Sequence, residues 1–327
     1  MAREYGPPSV LVVSDTPVPQ AEAGQIQVRV RAAALNPADL RNLSGVMREL
    51  APLTFPHVPG SDFAGTVSSV GSGVTRFAVG DEVFGVGLPR ATAGMASMLS
   101  TPPSLTTGAM ASYAVFEADT PAIAVRPPGL SAEHAATLPI PGLTGLAVLR
   151  AGRFSPGERV LVVGAAGGVG GATVPLLAAA QLQVIATALP EDAEYVRELG
   201  ATEVIDYRAV DIVAETLRRY PDGVDAVVNL ALPGAALVKV GDVVRPGGCL
   251  LNAAFPAPDR SDFDRTDLTV ETVYSNARPG DLDQLAAQAV AGALPSTISR
   301  RFTLEEAPQA YTEMVYAHVR GKYLVTM

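Results

Sequence analysis

The chain has 327 residues, 48% of them hydrophobic and 17% charged, with a net charge of −9, which is a globular composition long enough for two domains. The acidic balance leaves no electrostatic footprint for nucleic acid or an anionic membrane, and the one cysteine, Cys249, excludes a disulfide framework or a cysteine-rich zinc site. Met1–Gly6 lacks the apolar core of a signal peptide, and no apolar run reaches the roughly 18–20 residues of a membrane span, so a soluble cytoplasmic protein is expected.

Residues 1–120 read as short strands separated by turns. Val10–Val13 and Ile26–Ala34 have strand character, with the proline-bearing Thr16–Gly24 between them. Asn36-Pro37-Ala38-Asp39 reads as a turn or helix cap. Strands follow at Thr66–Val70 and within Val79–Gly85, divided by the turn Gly71-Ser72-Gly73, and the whole suggests a compact, mostly β domain. Residues 86–109, with Met95, Met98, Pro102 and Pro103, show neither helical nor strand periodicity and read as a long irregular connection, either a poorly ordered one or a functional loop, in which case it is expected to shape a pocket for a bulky substrate. Order is expected to resume toward a strand at Tyr113–Phe116.

From Ser131, a serine helix cap, the pattern alternates helix and strand. Helices are expected at 132–138, 142–150, 192–199, 210–219 and 235–243, and strands at 159–163, 184–188, 203–205, 224–230 and 249–253. Strands such as Ala226-Val227-Val228, apolar on both faces, require a parallel sheet with helices on both sides. The tail offers a helix at 280–291, a strand at 298–302, a helix at 304–319 and a closing strand at 323–326. It is assigned back to the first domain, so the expected organisation is 1–122 and 271–327 together, with 123–270 inserted.

Arg159–Gly171 is the centre of the reading. Arg159-Val160-Leu161-Val162-Val163 is a buried strand, and Gly164, Gly167 and Gly170 then give a G-x-x-G-x-x-G spacing before an Ala/Leu/Val-rich helix. In such a turn one glycine lets the backbone reverse, one lets it approach a pyrophosphate, and one lets the helix pack against the strand. The N–H groups at the helix start face the phosphates. With the next strand this makes a βαβ unit, the context in which a glycine triplet means dinucleotide binding.

The order of motifs resembles the medium-chain dehydrogenase/reductase superfamily, in its zinc-free quinone oxidoreductase (zeta-crystallin-like) branch. The matching stretches are Asn36–Asp39, Pro59–Gly65, Val79–Gly85, Leu138–Leu149, the 160–171 turn, Leu199–Tyr207 and Val319–Lys322. The resemblance implies an α/β protein in which a Rossmann doubly wound parallel sheet is inserted into a mostly β, GroES-like catalytic domain. It implies nicotinamide meeting a small-molecule substrate in a cleft between the two, and homodimers. Where zinc alcohol dehydrogenases of the superfamily carry Gly-His-Glu, this chain has Gly60-Ser61-Asp62. His57, His134 and His318 are scattered, and no metal site is expected.

The resemblance points to Asn36 as a donor to substrate or cofactor and to Thr144 beside the nicotinamide. Asp39 has the plainer reading of a cap carboxylate. Many relatives carry a tyrosine at the position of Arg41, which in enoyl reductases is a proposed proton donor. An arginine holds an enolate or other anion but gives up no proton at neutral pH, so Arg41 is either an anion ligand or a surface cation. Tyr5 and Tyr113 are substitutes for the missing acid, with packing as the plainer role of each. Candidate cofactor contacts are Gly164, Ala165, Gly167, Gly168, Val169, Gly170, Thr187, Tyr207, Arg208, Asn229 and Lys322, the last being equally readable as a solvated turn lysine. No acid ends the strand Ile185–Ala188 to take a ribose 2′-OH, and Tyr207 and Arg208 sit where the family groups the 2′-phosphate, so NADP(H) is expected over NAD. The expected activity is hydride transfer from NADPH to a quinone or an α,β-unsaturated carbonyl. The alternative is a non-catalytic nucleotide-binding or sensor protein of the same fold.

Overall fold

The computed structural model describes residues 1–90, 97 and 101–327. Two compact units are present: Met1–Ile140 with Asn276–Gly292 and Ser296–Met327, and Pro141–Ser275 with Ala293–Pro295. The first unit opens with β1 (Gln25–Ala34), α1 (Pro37–Leu43), β2 (Asp62–Val70), β3 (Glu82–Pro89), β4 (Ser104–Thr106), β5 (Tyr113–Glu117), β6 (Ile123–Val125) and α2 (Ala132–Thr137). Helix α3 (Pro139–Gly152) leads into β7 (Arg159–Val163), α4 (Gly170–Ala179), β8 (Gln183–Ala188), α5 (Ala193–Glu198), β9 (Glu203–Asp206), α6 (Ile212–Arg219), β10 (Val224–Asn229), α7 (Gly234–Val240), β11 (Val244–Asn252) and β12 (Thr269–Thr272). The chain ends with α8 (Asp281–Val290), β13 (Ile298–Thr303), α9 (Ala307–Tyr316) and β14 (Lys322–Thr326).

In the first unit the strands run in the order β13-β14-β1-β2-β3-β4-β5, with β5 also paired to β1, so β1 to β5 close on themselves. Closure requires β1 to serve three neighbours. Its residues 25–29 pair with β5, its residues 32–34 with β14, and nearly its whole length with β2. Register shifts at Gln27/Val28 and Val30/Ala32 bend the strand to allow this. Alternate residues Ile26, Val28 and Val30 point inward with Phe63, Val67, Val83 and Phe116, and the rings of Phe63 and Phe116 stack at 3.8 Å. Helix α9 adds Ala307, Ala310 and Tyr311 to this core.

The second unit is a six-stranded parallel sheet in the order β12-β11-β10-β7-β8-β9. Along β7 the side chains alternate between two cores. Val160 and Val162 pack with Val174 and Leu177 of α4, while Leu161 and Val163 pack with Leu237 and Val240 of α7. Both faces are therefore covered, as a doubly wound sheet requires. Strand order reverses between β7 and β10, and loops at the carboxyl ends of these strands border the crevice where such sheets take ligands.

The structure corrects several expectations. No strand forms at Val10–Val13; Pro8–Val10 is a short 3-10 turn and Val12 exchanges backbone hydrogen bonds with Met1 alone. Pro7 and Pro8 have no N–H to give a ladder, and Val12 and Val13 are half exposed. The stretch 86–109 is less irregular than its composition suggests, because β3 runs on to Pro89 and β4 pairs Gly87 with Ser104. Met95 and Met98, with the rest of 91–96 and 98–100, lie outside the described residues, and that part of the expected pocket-shaping loop lies there with them. The boundary expected after residue 122 falls after Ile140, since Ile123–Val125 pairs with β3 and α2 packs on β1 and β2. The return falls at Asn276 and not at 271, because Thr269–Thr272 is the sixth strand of the parallel sheet.

Phe63 fills the closed barrel and is fully buried. Phe63→Ala is expected to cost about 3–5 kcal/mol, read as a lower urea midpoint in a transition followed by circular dichroism. A midpoint equal to the wild type would contradict this account of the core.

Candidate active site

In the second unit the glycine turn leaves β7 with Gly164 at a φ of +86°, a left-handed conformation that strains any other residue. A Cβ at Gly170 would lie 2.2 Å from the carbonyl oxygen of Ala165, so this glycine lets α4 close onto the turn. A Cβ at Gly167 would meet only the Gly164 oxygen, at 3.5 Å. The protein's own packing does not demand glycine there, which fits a place kept clear for a ligand. Gly167, Gly168 and Val169 are half-buried, and the N–H groups of Gly168, Val169 and Gly170 precede the first carbonyl α4 could offer them. Donors without helical partners at the positive end of a ten-residue helix fit a pyrophosphate.

Neighbouring side chains brace this turn. Thr187, buried at the end of β8, accepts the N–H of Gly164 at 3.2 Å. Asn229, fully buried at the end of β10, accepts the N–H of Leu232 at 2.9 Å and donates to the Leu232 carbonyl at 2.8 Å and to Asn252 Oδ1 at 2.7 Å. Its amide is committed to the 230–232 loop, so the expected contact to a cofactor gives way to shaping that loop. After β9, which pairs Asp206 with Ala188 of β8, come Tyr207 and Arg208, both exposed. Beyond β8 run Leu189 and Pro190, with Glu191 exposed and Asp192 buried.

In the first unit the residues singled out around Asn36 and Lys322 meet in a buried polar cluster. The Asn36 N–H donates to Asp39 Oδ2 at 3.1 Å, so Asp39 does cap α1. Asp39 also accepts from Ser61 Oγ at 3.0 Å and from the hydroxyl of Tyr311 at 3.3 Å. Asp62 accepts from Asn36 Nδ2 at 3.0 Å, from the Ile140 N–H at 2.9 Å and from Lys322 Nζ at 3.4 Å. Lys322 donates further to the Leu35 carbonyl at 2.8 Å and to Asn36 Oδ1 at 2.7 Å. The expected contact of Lys322 with cofactor is thus replaced, as is its alternative as a solvated lysine: all three hydrogens are spent inside the protein and the side chain is 4% exposed. The amide hydrogens of Asn36 are likewise directed to Ala34 and Asp62, so its expected role as a donor narrows to the second lone pair of Oδ1, an acceptor.

Burial pushes the Asp39 carboxyl up to about 6, against the hydrogen bonds from Ser61 and Asn36. Burial drives Asp62 up and Lys322 down, and each draws the other back toward its charged form. Donors on both Asp62 oxygens and acceptors for every Lys322 hydrogen hold the ionised pair. Burial and the adjacent Asp39 raise the Tyr311 phenol well above its ordinary value. Arg41 is half-buried on α1, and burial lowers its guanidinium from the usual range. Thr144 is buried on α3. The Tyr5 hydroxyl accepts the Leu53 N–H at 2.6 Å and its ring meets Phe55 edge-on, a packing role. Tyr113 lines a cavity of about 380 Å³ in the first unit with Leu11, Met110 and Tyr311. Tyr311, Ser61 and Asp62 were not among the candidates; only a charged residue opening the apolar run Asp62-Phe63-Ala64 offered a signal.

Residues 22–127 match the alcohol dehydrogenase GroES-like domain, and residues 199–325 match the zinc-binding dehydrogenase domain. The chloroplast envelope quinone oxidoreductase homolog of Arabidopsis thaliana is 31% identical over 326 residues, covering 94% of this chain and 92% of that one. The chain belongs to the quinone oxidoreductase branch of the medium-chain dehydrogenase/reductase superfamily. Among solved structures of the superfamily, the quinone oxidoreductase of Coxiella burnetii superposes with a TM-score of 0.86 at 29% identity, over 100% of this chain and 98% of that one. The CurK enoyl reductase superposes with a TM-score of 0.82 at 26% identity, over 100% and 98%. Zinc, which one of the two domain descriptions names, does not fit the residues present. The carboxylates of the cluster are already held by an ammonium, an amide and two hydroxyls, and the described residues gather no group of three His, Cys, Asp or Glu. No helix among the described residues is long and apolar enough to cross a membrane.

The pH dependence of Asp39 has a definite sign. Its folded-state pKa of about 6 exceeds the unfolded value, so between about pH 4 and pH 6 the folded chain binds the extra proton. The stability of the wild type relative to Asp39→Asn should therefore fall as pH rises through that window and stay level above it. Urea unfolding of both proteins from pH 4 to 8 checks this, and a difference independent of pH would refute it.

Proposed function

We propose that the protein is an NADPH-dependent, zinc-independent reductase that passes hydride to a quinone or to an α,β-unsaturated carbonyl. The observation that carries the reading is the glycine turn at the switch point of the parallel sheet, with N–H groups before α4 that the helix cannot satisfy itself and space kept open at Gly167. Membership of a family that includes proteins named quinone oxidoreductase and enoyl reductase supports the acceptor class. The cofactor supplies the hydride when bound. Gly164, Ala165, Gly167, Gly168, Val169 and Gly170 would hold its pyrophosphate, braced by Thr187 and by the loop that Asn229 fixes. Tyr207 and the exposed guanidinium of Arg208, next to a β8 that ends without an acid, favour the 2′-phosphate of NADPH.

On the acceptor side, reduction places negative charge on an oxygen, which a half-buried guanidinium stabilises better than a solvated one. We assign that role to Arg41, with Asn36 as an acceptor toward cofactor or substrate and Thr144 beside the nicotinamide. The product's proton then comes from solvent, because Arg41 gives none up and each of the three donors on Asp39 is directed inward. The same reading takes the protein to be a cytoplasmic homodimer, as the family resemblance implies.

NADPH oxidation followed at its absorbance, with quinone and enone acceptors, tests the reading, and cofactor binding without turnover on any acceptor would favour the sensor alternative. KM for NADPH is expected below that for NADH, and Arg208→Ala should raise the NADPH value about tenfold, some 1.4 kcal/mol, while leaving NADH unchanged. A wild type that prefers NADH would overturn the cofactor assignment. Arg41→Ala should lower kcat/KM by about 10–100-fold, with part of the loss recovered in Arg41→Lys. Equal kinetics in all three would return Arg41 to a structural role.

A further inference from the structure

Lys322 is a buried cation whose three hydrogen-bond partners are all oxygens. Its three hydrogens meet the Leu35 carbonyl, Asn36 Oδ1 and Asp62 Oδ2. Its backbone is pinned as well. The Lys322 N–H donates to the Thr297 carbonyl at 2.9 Å, and Gly321 precedes it in a left-handed turn where a Cβ would lie 2.0 Å from that same oxygen. An ammonium has no lone pair, so the atom of Asn36 facing it must be the oxygen, and the amide nitrogen is thereby turned toward Asp62. Asp62 is then a common acceptor. One oxygen takes the Asn36 amide and the ammonium, and the other takes the N–H of Ile140, the second residue of α3 and one of the donors a helix cannot satisfy internally.

These bonds reach every segment to which we assign substrate chemistry. Asn36 is a member of the cluster and the cap of α1, five residues ahead of Arg41. Thr144 lies four residues, about one helical turn, beyond Ile140 on α3. We infer that Lys322 is a positioning residue of the reductase site, its buried ammonium doing in place of a metal ion the work of orienting the Asn36 amide and keeping Asp62 as the shared anchor of α1 and α3. The inference rests on the reductase reading for its turnover readout but not for its structural one. Removing the charge alone leaves Asp62 buried without its cation. Removing both charges relieves that penalty without restoring the reference that turns Asn36.

The test uses the full chain as Lys322→Met and as the double variant Lys322→Met/Asp62→Asn. Thermal unfolding, NADPH oxidation with a quinone, and hydrogen–deuterium exchange resolved by peptide are measured for each. In Lys322→Met we expect kcat to fall about 10–100-fold, KM for NADPH to stay within about threefold, and exchange to rise in peptides covering 36–43 and 139–144 more than elsewhere. In the double variant most of the lost Tm should return while kcat stays low; this variant also serves if the single one does not fold. Turnover of Lys322→Met within about twofold of the wild type, or kcat recovering in step with Tm in the double variant, would overturn the inference and leave a plain structural ion pair. A wild type inactive on every acceptor would sink the reductase reading instead. The exchange pattern alone then decides, local acceleration at both helix starts upholding the positioning role and unchanged exchange there refuting it.

Discussion

A charge taken out of water must find its compensation in fixed geometry, and in the first unit that condition governs everything around Asp62 and Lys322. The carboxylate is wholly buried and the ammonium nearly so. Either alone would be driven to its neutral form; together they persist because each remaining lone pair or hydrogen has a partner held by a strand or a helix start. The partners belong to β1 and the turn after it, to β2, to the start of α3 and to β14, so the pair forms only when those elements have assembled. Asp39 extends the same logic by one step, taking donors from Ser61, Tyr311 and the cap of α1. In this chain a lysine of the last strand, Lys322, supplies the positive charge beside Asp62.

The second unit answers a different constraint. A parallel sheet covered on both faces has no free edge for a ligand except at the strand ends, and the reversal of strand order beside β7 opens a place for one. There the backbone presents N–H groups that α4 cannot use. Side chains nearby are spent on holding the turn and its flanking loops, as Thr187 and Asn229 show. The glycine turn thus works through its backbone, whereas the first unit's polar cluster works through side chains.

Much of this was legible from residue order. Apolar runs on both faces of 160–163 and 226–228 require a covered parallel sheet, and the glycine spacing after Val163, weak by itself, reads as a nucleotide turn because a strand, a helix and a second strand surround it. Local signals succeeded wherever the cause was local: Ser131 accepts the His134 N–H as a cap, and Asp39 caps α1. They failed where a neighbour decided the outcome. Val10–Val13 has the composition of a strand but no strand beside it, and Ile123–Val125, assigned by residue order to the inserted part, pairs with β3 of the first unit.

The amino-acid sequence by itself therefore determined the alternation of elements, the nucleotide turn and the absence of a cysteine-built metal site, because each follows from periodicity, spacing or composition over a few dozen residues. Only the tertiary structure decided what Asn36, Lys322 and Tyr311 do. Positions 36, 39, 62, 311 and 322 become neighbours through barrel closure and the docking of β14 and α9, and whether a polar group is satisfied inside a protein depends on partners as distant in the chain as Lys322 is from Asn36, 286 residues.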